Sequence, residues 1–193
     1  MQDWLVSTGV VALGEMGDKT QLLAMALAAT YRRPWAIVAG ILIATLANHA
    51  AAAALGAWVA QALGPTVLQW AVGLSFLAMA VWILIPDSLD DDAAAAEGRW
   101  GVLATTIVAF FIAEMGDKTQ IATIALAARF DNTVAVVAGT TLGMMLANAP
   151  VVWLGDRLSH RLPMVWIHRV CAAIFAVLGL VTLLHAVTAN GAS

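Results

Sequence analysis

The sequence predicts an all-α, polytopic membrane protein with six transmembrane helices, arranged as two inverted-topology repeats of three helices each. Three observations support this prediction. The 193 residues are 62% hydrophobic and 11% charged, whereas a soluble domain usually carries about 25% charged residues. The apolar residues fall into six stretches of membrane-spanning length. A seven-residue motif in the first stretch recurs in the fourth.

The six spans follow from apolar length and from punctuation. A transmembrane helix needs about 20 mostly apolar residues, and proline, glycine and charged residues divide the chain into six such segments. The predicted spans are residues 4–29, 34–60, 66–86, 100–128, 133–155 and 164–187. Tryptophan is enriched at membrane–water interfaces. All eight tryptophans lie near a predicted span end, namely Trp4, Trp35, Trp58, Trp70, Trp82, Trp100, Trp153 and Trp166.

An internal repeat divides the chain into two halves. A shift of 99 residues aligns Glu15 with Glu114 and Gly40 with Gly139, so two homologous halves are expected. The predicted units are a first three-helix repeat at 1–86, an acidic linker at 87–99 and a second three-helix repeat at 100–193. Because three is an odd number of spans, the second half must enter the membrane in the opposite direction. Inverted repeats are typical of secondary transporters, whose substrate site lies near the midplane.

Loop charges predict the orientation, because arginine and lysine are enriched in cytoplasmic loops. The connections after spans one, three and five carry Arg32, Arg33, Arg99, Arg157 and Arg161, whereas the opposite side carries Arg129. Both termini are therefore predicted to lie outside. The linker is predicted to be a solvated cytoplasmic connection, with cation attraction or regulation as the alternative.

The repeated motif is Glu-Met-Gly-Asp-Lys-Thr-Gln, at residues 15–21 and 114–120. An ionisable group within the bilayer costs about 2.5–3.5 kcal/mol on insertion scales and usually marks an ion or proton pathway. On a continuous helix, the aspartate shares a face with the glutamate three residues earlier, and the lysine can neutralise that glutamate. Gly14, Gly17 and Gly116 favour a kink or local unwinding, which would free backbone carbonyls as ligands.

The two motifs are predicted to form one all-oxygen site, of the kind that hard divalent cations prefer. Lys19 and Lys118 would leave the four carboxylates with a charge of about −2, which one divalent ion or two protons would cancel. The predicted metal ligands of the motifs are Glu15, Asp18, Gln21, Glu114, Asp117 and Gln120. The four acids are also predicted to bind protons. The alternative is a set of structural salt bridges.

Several polar residues near the motifs have two interpretations. Asn48 and Asn148 are either further metal ligands or interhelical hydrogen-bonding groups. They are related by a shift of 100, so either an insertion precedes them or Asn148 corresponds to His49. His49 is either a proton relay or, as we favour, a satisfied interior group. Thr20 and Thr119 support the site as ligands or, as we favour, bond back to their own helices. No role is predicted for the histidines near span ends, which are His160, His168 and His185.

The doubled motif resembles the pattern E-x-G-D-[KR]-[ST] of uncharacterised protein family 0016, which includes the Golgi transmembrane protein 165 and bacterial manganese exporters. The resemblance covers essentially the whole chain, and neither copy departs from the pattern. It implies a cation/proton antiporter that moves Mn²⁺ or Ca²⁺ out of the cytosol. By matching position, Glu15, Asp18, Glu114 and Asp117 would form the shared metal and proton site. The short linker and the lack of an N-terminal extension resemble bacterial members, which implies the bacterial inner membrane.

Taken together, the sequence predicts an exporter of Mn²⁺ or Ca²⁺ that exchanges the metal for protons, and not an enzyme. No cofactor is expected; the expected partners are membrane lipid, the transported ion and protons. The net charge of −3 comes without a basic patch, so nucleic acid is not expected. The alternatives are an amino-acid or organic-cation exporter and a structural scaffold. An intramembrane aspartyl protease is disfavoured because Glu15 and Glu114 replace the first glycine of the protease string Gly-x-Gly-Asp.

Overall fold

The structure, a computed structural model, describes residues 2–85, 101–154 and 164–190. Every helix or strand within these ranges is an α-helix. In chain order the helices are α1 Gln2–Glu15, α2 Lys19–Tyr31, α3 Pro34–Ala62, α4 Pro65–Trp82, α5 Gly101–Glu114, α6 Lys118–Arg129, α7 Thr133–Leu154 and α8 Met164–Asn190. The predicted linker at 87–99 lies outside the described residues, and so do Arg157 and Arg161.

Four of the described helices are long and apolar enough to cross a membrane: α3, α4, α7, and α8 over His168–Thr188. They coincide with the second, third, fifth and sixth predicted spans to within a few residues. The first and fourth predicted spans are each divided into two shorter helices, α1 with α2 and α5 with α6. The interruption that the glycines of the motif predict is therefore present.

Proline defines the start of two membrane-spanning helices. Pro34 and Pro65 are the first residues of α3 and α4, a position where the missing N–H has no helical acceptor to lose. The preceding helix α2 ends at Tyr31 and is capped by Arg32, which has a left-handed conformation with φ 52° and donates its N–H to the Ala28 carbonyl. These local features produce the short turn between α2 and α3.

Two close helix crossings depend on a glycine. A Cβ atom at Gly40 of α3 would lie 2.7 Å from the Cβ of Thr106 in α5. A Cβ atom at Gly139 of α7 would lie 2.9 Å from the Cβ of Ser7 in α1. Both distances are shorter than a carbon–carbon contact, so a larger residue would push the helices apart. The two crossings are equivalent in the repeat, because Gly40 and Gly139 are 99 residues apart and so are Ser7 and Thr106.

Helices α4 and α8 form a third packed pair. The rings of Phe76 and Phe175 lie 6.0 Å apart between centroids, and both side chains are buried in an apolar cluster that includes Val72, Met79 and Cys171. This cluster also contains residues of α1 and α6. The α4–α8 pair therefore packs against the helices that carry the two motifs.

The exposed surface is strongly apolar, as lipid contact requires. Side chains such as Trp35, Val81 and Val134 are 66–78% exposed. The glutamates of the two motifs are buried, and so are the neighbouring Asn48 and Asn148. A water-soluble protein would bury the first group and expose the second. The chain is therefore an integral membrane protein. The rings of Trp35 and Trp153 lie 5.3 Å apart, so the start of α3 and the end of α7 lie at the same end of the helix bundle.

Candidate metal centre

The two motifs form matching breaks in the helices. Residues 16–18 separate α1 from α2, and residues 115–117 separate α5 from α6. Gly17 and Gly116 have φ angles of 82° and 76°, a conformation that glycine adopts at little cost and that strains other residues. The seven-residue motif therefore folds into the same backbone shape twice.

A glutamine stabilises each break. The side-chain oxygen of Gln21 accepts the N–H of Gly17 at 2.9 Å, and that of Gln120 accepts the N–H of Gly116 at 2.8 Å. Both glutamine amides then donate to the second span of the opposite half. Gln21 donates to the Ala147 carbonyl at 2.9 Å, and Gln120 donates to Oδ1 of Asn48. Each glutamine thus links a break to a neighbouring helix.

Three carboxylates from the two motifs come together between the breaks. Glu15, Glu114 and Asp117 each present a carboxylate oxygen, and these oxygens all lie within 4.8 Å of one another. All three residues are buried, with exposures of 0%, 0% and 3%. Within the described parts of the chain, no hydrogen-bond donor reaches Oε1 of Glu15 or Glu114. We call these three residues the carboxylate cluster.

The dimensions of the carboxylate cluster suit one hard divalent cation. Oxygen ligands lie about 2.0–2.6 Å from such an ion, so oxygens on opposite sides of it are about 4–5 Å apart. The spacing in the cluster matches this range. Three ionised carboxylates and the ammonium of Lys19, which contacts Asp117, leave a charge of −2 that one divalent cation would cancel.

Thr20 and Thr119 contact the carboxylate cluster directly. Thr20 donates its hydroxyl to Oε2 of Glu15 at 2.6 Å, and Thr119 donates to Oε2 of Glu114 at 2.9 Å. The prediction that these threonines bond back to their own helices is therefore wrong. Each glutamate lies five residues before its threonine, and the break turns it toward the first turn of the next helix. The threonine hydroxyl therefore has a charged acceptor. Each threonine orients one glutamate.

Lys19 does not pair with the glutamate of its own motif. The Nζ atom of Lys19 lies 2.9 Å from Oδ1 of Asp117, in the other motif. Lys118 is 4% exposed and donates to the Ile85 carbonyl at 2.9 Å. The predicted pairing of Lys19 with Glu15 along the helix is wrong, because the helix is interrupted between these two residues.

Asp18 has a different position from Asp117. It is 5% exposed and precedes α2 as its N-cap residue, but it is not a member of the carboxylate cluster. The helical face that Glu15 and Asp18 were predicted to share does not exist, because the break falls between them. Of the two equivalent aspartates, Asp117 therefore belongs to the carboxylate cluster and Asp18 does not.

The asparagines are both buried, with different partners. Oδ1 of Asn48 accepts the Gln120 amide, an interhelical contact. Asn148 donates its amide to the carbonyl and the sulfur of Met144, and its Oδ1 has no partner within the described residues. Gln120 contacts Asn48, and the equivalent glutamine, Gln21, contacts Ala147. Asn48 is therefore equivalent to Ala147, which lies 99 residues later. Asn148 therefore corresponds to His49.

His49 is fully buried, and neither ring nitrogen has a hydrogen-bond partner in the part of the chain that the structure describes. The satisfied interior group that we favoured is therefore not observed. Sequence analysis also missed His168, whose Nε2 lies 2.7 Å from the Met16 carbonyl oxygen in the first break. No sequence pattern indicates this contact, because 152 residues separate the two positions.

Comparison with known proteins identifies the family. The family model described as divalent cation/proton antiporter GDT1 matches two segments of the chain, residues 3–91 and 102–190. The chain belongs to the GDT1 family. The resemblance that the doubled motif indicated is thereby confirmed, and this GDT1 chain is assigned to divalent-cation transport.

Two relatives extend the comparison. This GDT1 chain is 49% identical to a Vibrio cholerae protein named as a candidate manganese exporter, over 178 residues that cover 92% of the chain and 88% of the relative. It is 30% identical to a GDT1-like protein of Synechocystis, over 173 residues that cover 79% of the chain and 82% of that relative. No solved structure matches the chain.

Proposed function

We propose that this GDT1 protein exports Mn²⁺ from the cytosol in exchange for protons, with Ca²⁺ as the alternative substrate. The observation that carries the proposal is the carboxylate cluster, which joins acids of both motifs at the spacing of a single hard cation. The name of the Vibrio cholerae relative favours Mn²⁺. Competition between metal and protons for the same buried acids would couple the two fluxes.

The proposed roles follow from the contacts of each side chain. Glu15, Glu114 and Asp117 bind the metal, and their acids bind protons when the metal is absent. Asn148 is a further proposed ligand, since its buried Oδ1 has no partner among the described residues. Gln21 and Gln120 are proposed to hold the breaks, because their oxygens accept backbone N–H groups, and Asn48 is proposed to hold Gln120.

Asp18 is proposed to replace Asp117 in the opposite-facing state. The two aspartates have nearly the same backbone conformation, with φ and ψ of −83° and 168° for Asp18 and −79° and 167° for Asp117. They differ in their relation to the carboxylate cluster. An exchange of their environments as one half moves against the other is the behaviour expected of alternating access in an inverted repeat.

The two inverted repeats remain part of the proposal, with units at 1–86 and 100–193. Four features support them: the matching breaks, the two glycine crossings separated by 99 residues, the two glutamine contacts, and the family model, which matches the chain twice. The second glutamine contact repeats the first with the same shift. Alternating access would then change the relative positions of the two halves.

The alternatives are less consistent with the site. Carboxylate oxygens within 4.8 Å of one another leave space for a bare ion, but not for an amino acid or an organic cation. An aspartyl protease needs two aspartates that share a proton, whereas Asp18 is not in the carboxylate cluster.

Ion flux into proteoliposomes tests the proposal. Purified protein should accelerate Mn²⁺ uptake above that of empty liposomes, and Ca²⁺ and Mg²⁺ measured side by side establish the order of preference. Mg²⁺ should be transported slowest, because it dehydrates reluctantly and demands near-ideal octahedral geometry. A protein that inserts correctly but moves none of the three ions would refute the proposed function.

The proposed orientation places both termini outside the bacterial inner membrane. A periplasm-active reporter fused after Ser193 should therefore be active, and a cytoplasm-active reporter inserted within 87–99 should also be active. The same reporters exchanged between the two sites serve as controls and should be silent. The reverse pattern would show that the loop arginines mispredict the orientation.

A further inference from the structure

The starting observation is a contact between α8 and the first break. Nε2 of His168 lies 2.7 Å from the carbonyl oxygen of Met16. A carbonyl oxygen can only accept a hydrogen bond, so Nε2 carries the proton and donates it. His168 is half-buried, and the contact joins residues that are 152 positions apart in the chain.

The carbonyl of Met16 needs a partner because it lies where the helix is interrupted. The backbone bonds of the break run from Asp18 N–H to the Glu15 carbonyl at 3.2 Å and from Gln21 N–H to the Asp18 carbonyl at 3.1 Å. Neither bond uses the Met16 oxygen. A partly buried carbonyl without a donor is unfavourable, and the His168 ring supplies the donor.

Neighbouring contacts hold His168 in place. Cys171, three residues later on α8 and therefore on the same face, is fully buried, and its sulfur lies 3.8 Å from the Val10 carbonyl of α1. The same sulfur lies 3.9 Å from the position that a Cβ on Gly14 would occupy. Helix α8 thus runs along α1 up to the break, where His168 makes its contact.

The second break has a different support. There, the lysine of the motif donates to a backbone carbonyl just beyond α4, that of Ile85. Because α4 packs on α8 through Phe76 and Phe175, one packed helix pair supports both breaks. It supports them through different chemical groups.

We propose that His168 is a positioning residue for ion binding: by donating to the Met16 carbonyl, it fixes the first break and thereby the orientation of Glu15 in the carboxylate cluster. This inference rests on the proposed function. His168 does not touch the ion. Its hydrogen bond restricts the segment that joins Glu15 to Thr20, so the glutamate is held in place before the ion arrives and less freedom is lost on binding.

A pair of variants of similar size tests the proposal. His168→Gln keeps an N–H donor at a similar reach, whereas His168→Met fills similar space without a donor. In proteoliposomes, His168→Met should raise the KM for Mn²⁺ about fivefold, within the two- to tenfold range expected for one hydrogen bond, and leave kcat within about twofold. His168→Gln should retain a KM close to that of the wild type. His185→Met, at an exposed position further along α8, is the matched control and should change neither constant.

Hydrogen exchange on the metal-free protein gives a second readout that does not depend on transport. Amides of residues 16–20 should exchange faster in His168→Met than in the wild type, and not in His168→Gln. Should the methionine variant fail to fold, His168→Asn takes its place, because its amide is too short to reach the Met16 carbonyl.

The outcomes separate this inference from the proposed function. Equal KM values and equal exchange in the donor and non-donor variants, whether both normal or both impaired, would overturn the role of His168. A wild-type protein that moves no divalent cation would overturn the proposed function instead, and the exchange comparison would still decide whether His168 holds the break.

Discussion

Asp117→Asn is expected to reduce kcat/KM for Mn²⁺ transport at least about 100-fold. The substitution keeps the shape of the side chain but removes one charge from the carboxylate cluster and takes the ionic partner from Lys19. A unit charge pair at about 4 Å is worth about 4 kcal/mol at an effective dielectric constant of 20, which is close to a thousandfold in affinity. Ion flux into proteoliposomes and equilibrium Mn²⁺ binding measure the two consequences.

Two further aspartate variants accompany this experiment, one as a control and one as a comparison. Asp131→Asn removes a carboxylate from an exposed position after α6 and should leave transport within about twofold of the wild type. Asp18→Asn should also abolish transport, because the proposed cycle needs both aspartates, but should lower equilibrium binding less, because Asp18 is outside the carboxylate cluster. Normal flux through Asp117→Asn would mean that the carboxylates are structural and that the ion binds elsewhere.

An imposed pH gradient is expected to drive Mn²⁺ against its own gradient. With the vesicle interior acidic and the voltage clamped, the outward movement of protons should drive Mn²⁺ into the vesicle. One pH unit is worth about 1.4 kcal/mol per proton, so it should raise the attainable metal ratio about tenfold for each proton exchanged. The physical basis is the close approach of three buried carboxylates, which repel one another unless a proton or a cation is present. A proton on one carboxylate of the cluster would turn one of these crowded oxygens into a hydrogen-bond donor toward another.

Glutamate variants test which groups carry the proton. Glu15→Gln and Glu114→Gln should weaken pH-driven metal flux and metal-driven proton flux together. Glu97→Gln is the matched control, since Glu97 is the remaining glutamate of the chain and lies in the predicted linker. Metal flux that ignores the pH gradient in the wild type would identify a channel or uniporter and exclude antiport, while the ion site itself would stand.

Local sequence features predicted most of the fold. Helix positions follow from apolar length and from residues such as Pro34 and Pro65, which act within one turn of their own position. The break in each motif was also foreseeable, because Gly17 is readily accommodated with a positive φ and most other residues are not. These features depend on neighbours in the chain, so a linear pattern records them.

The pairing of side chains across the site was not predictable in the same way. The motif suggested four equivalent acids and two lysines that each neutralise their own motif. Instead, Lys19 pairs with Asp117, and Asp18 stays outside the carboxylate cluster. These contacts depend on how two segments about a hundred residues apart approach each other, and a repeated motif does not record which of its acids meet.

The sequence by itself therefore determined the membrane environment, the helix positions, the two breaks and the oxygen-rich chemistry of the site, because each depends on composition or on residues within a few positions of one another. Only the tertiary structure decided which acids meet, that Lys19 pairs with Asp117, that Thr20 and Thr119 orient the glutamates, and that His168 reaches the first break. The physical reason is that helix packing sets these contacts. Close approach at Gly40 and Gly139 brings the helices of the two halves together, and the resulting contacts leave no trace in any short stretch of sequence.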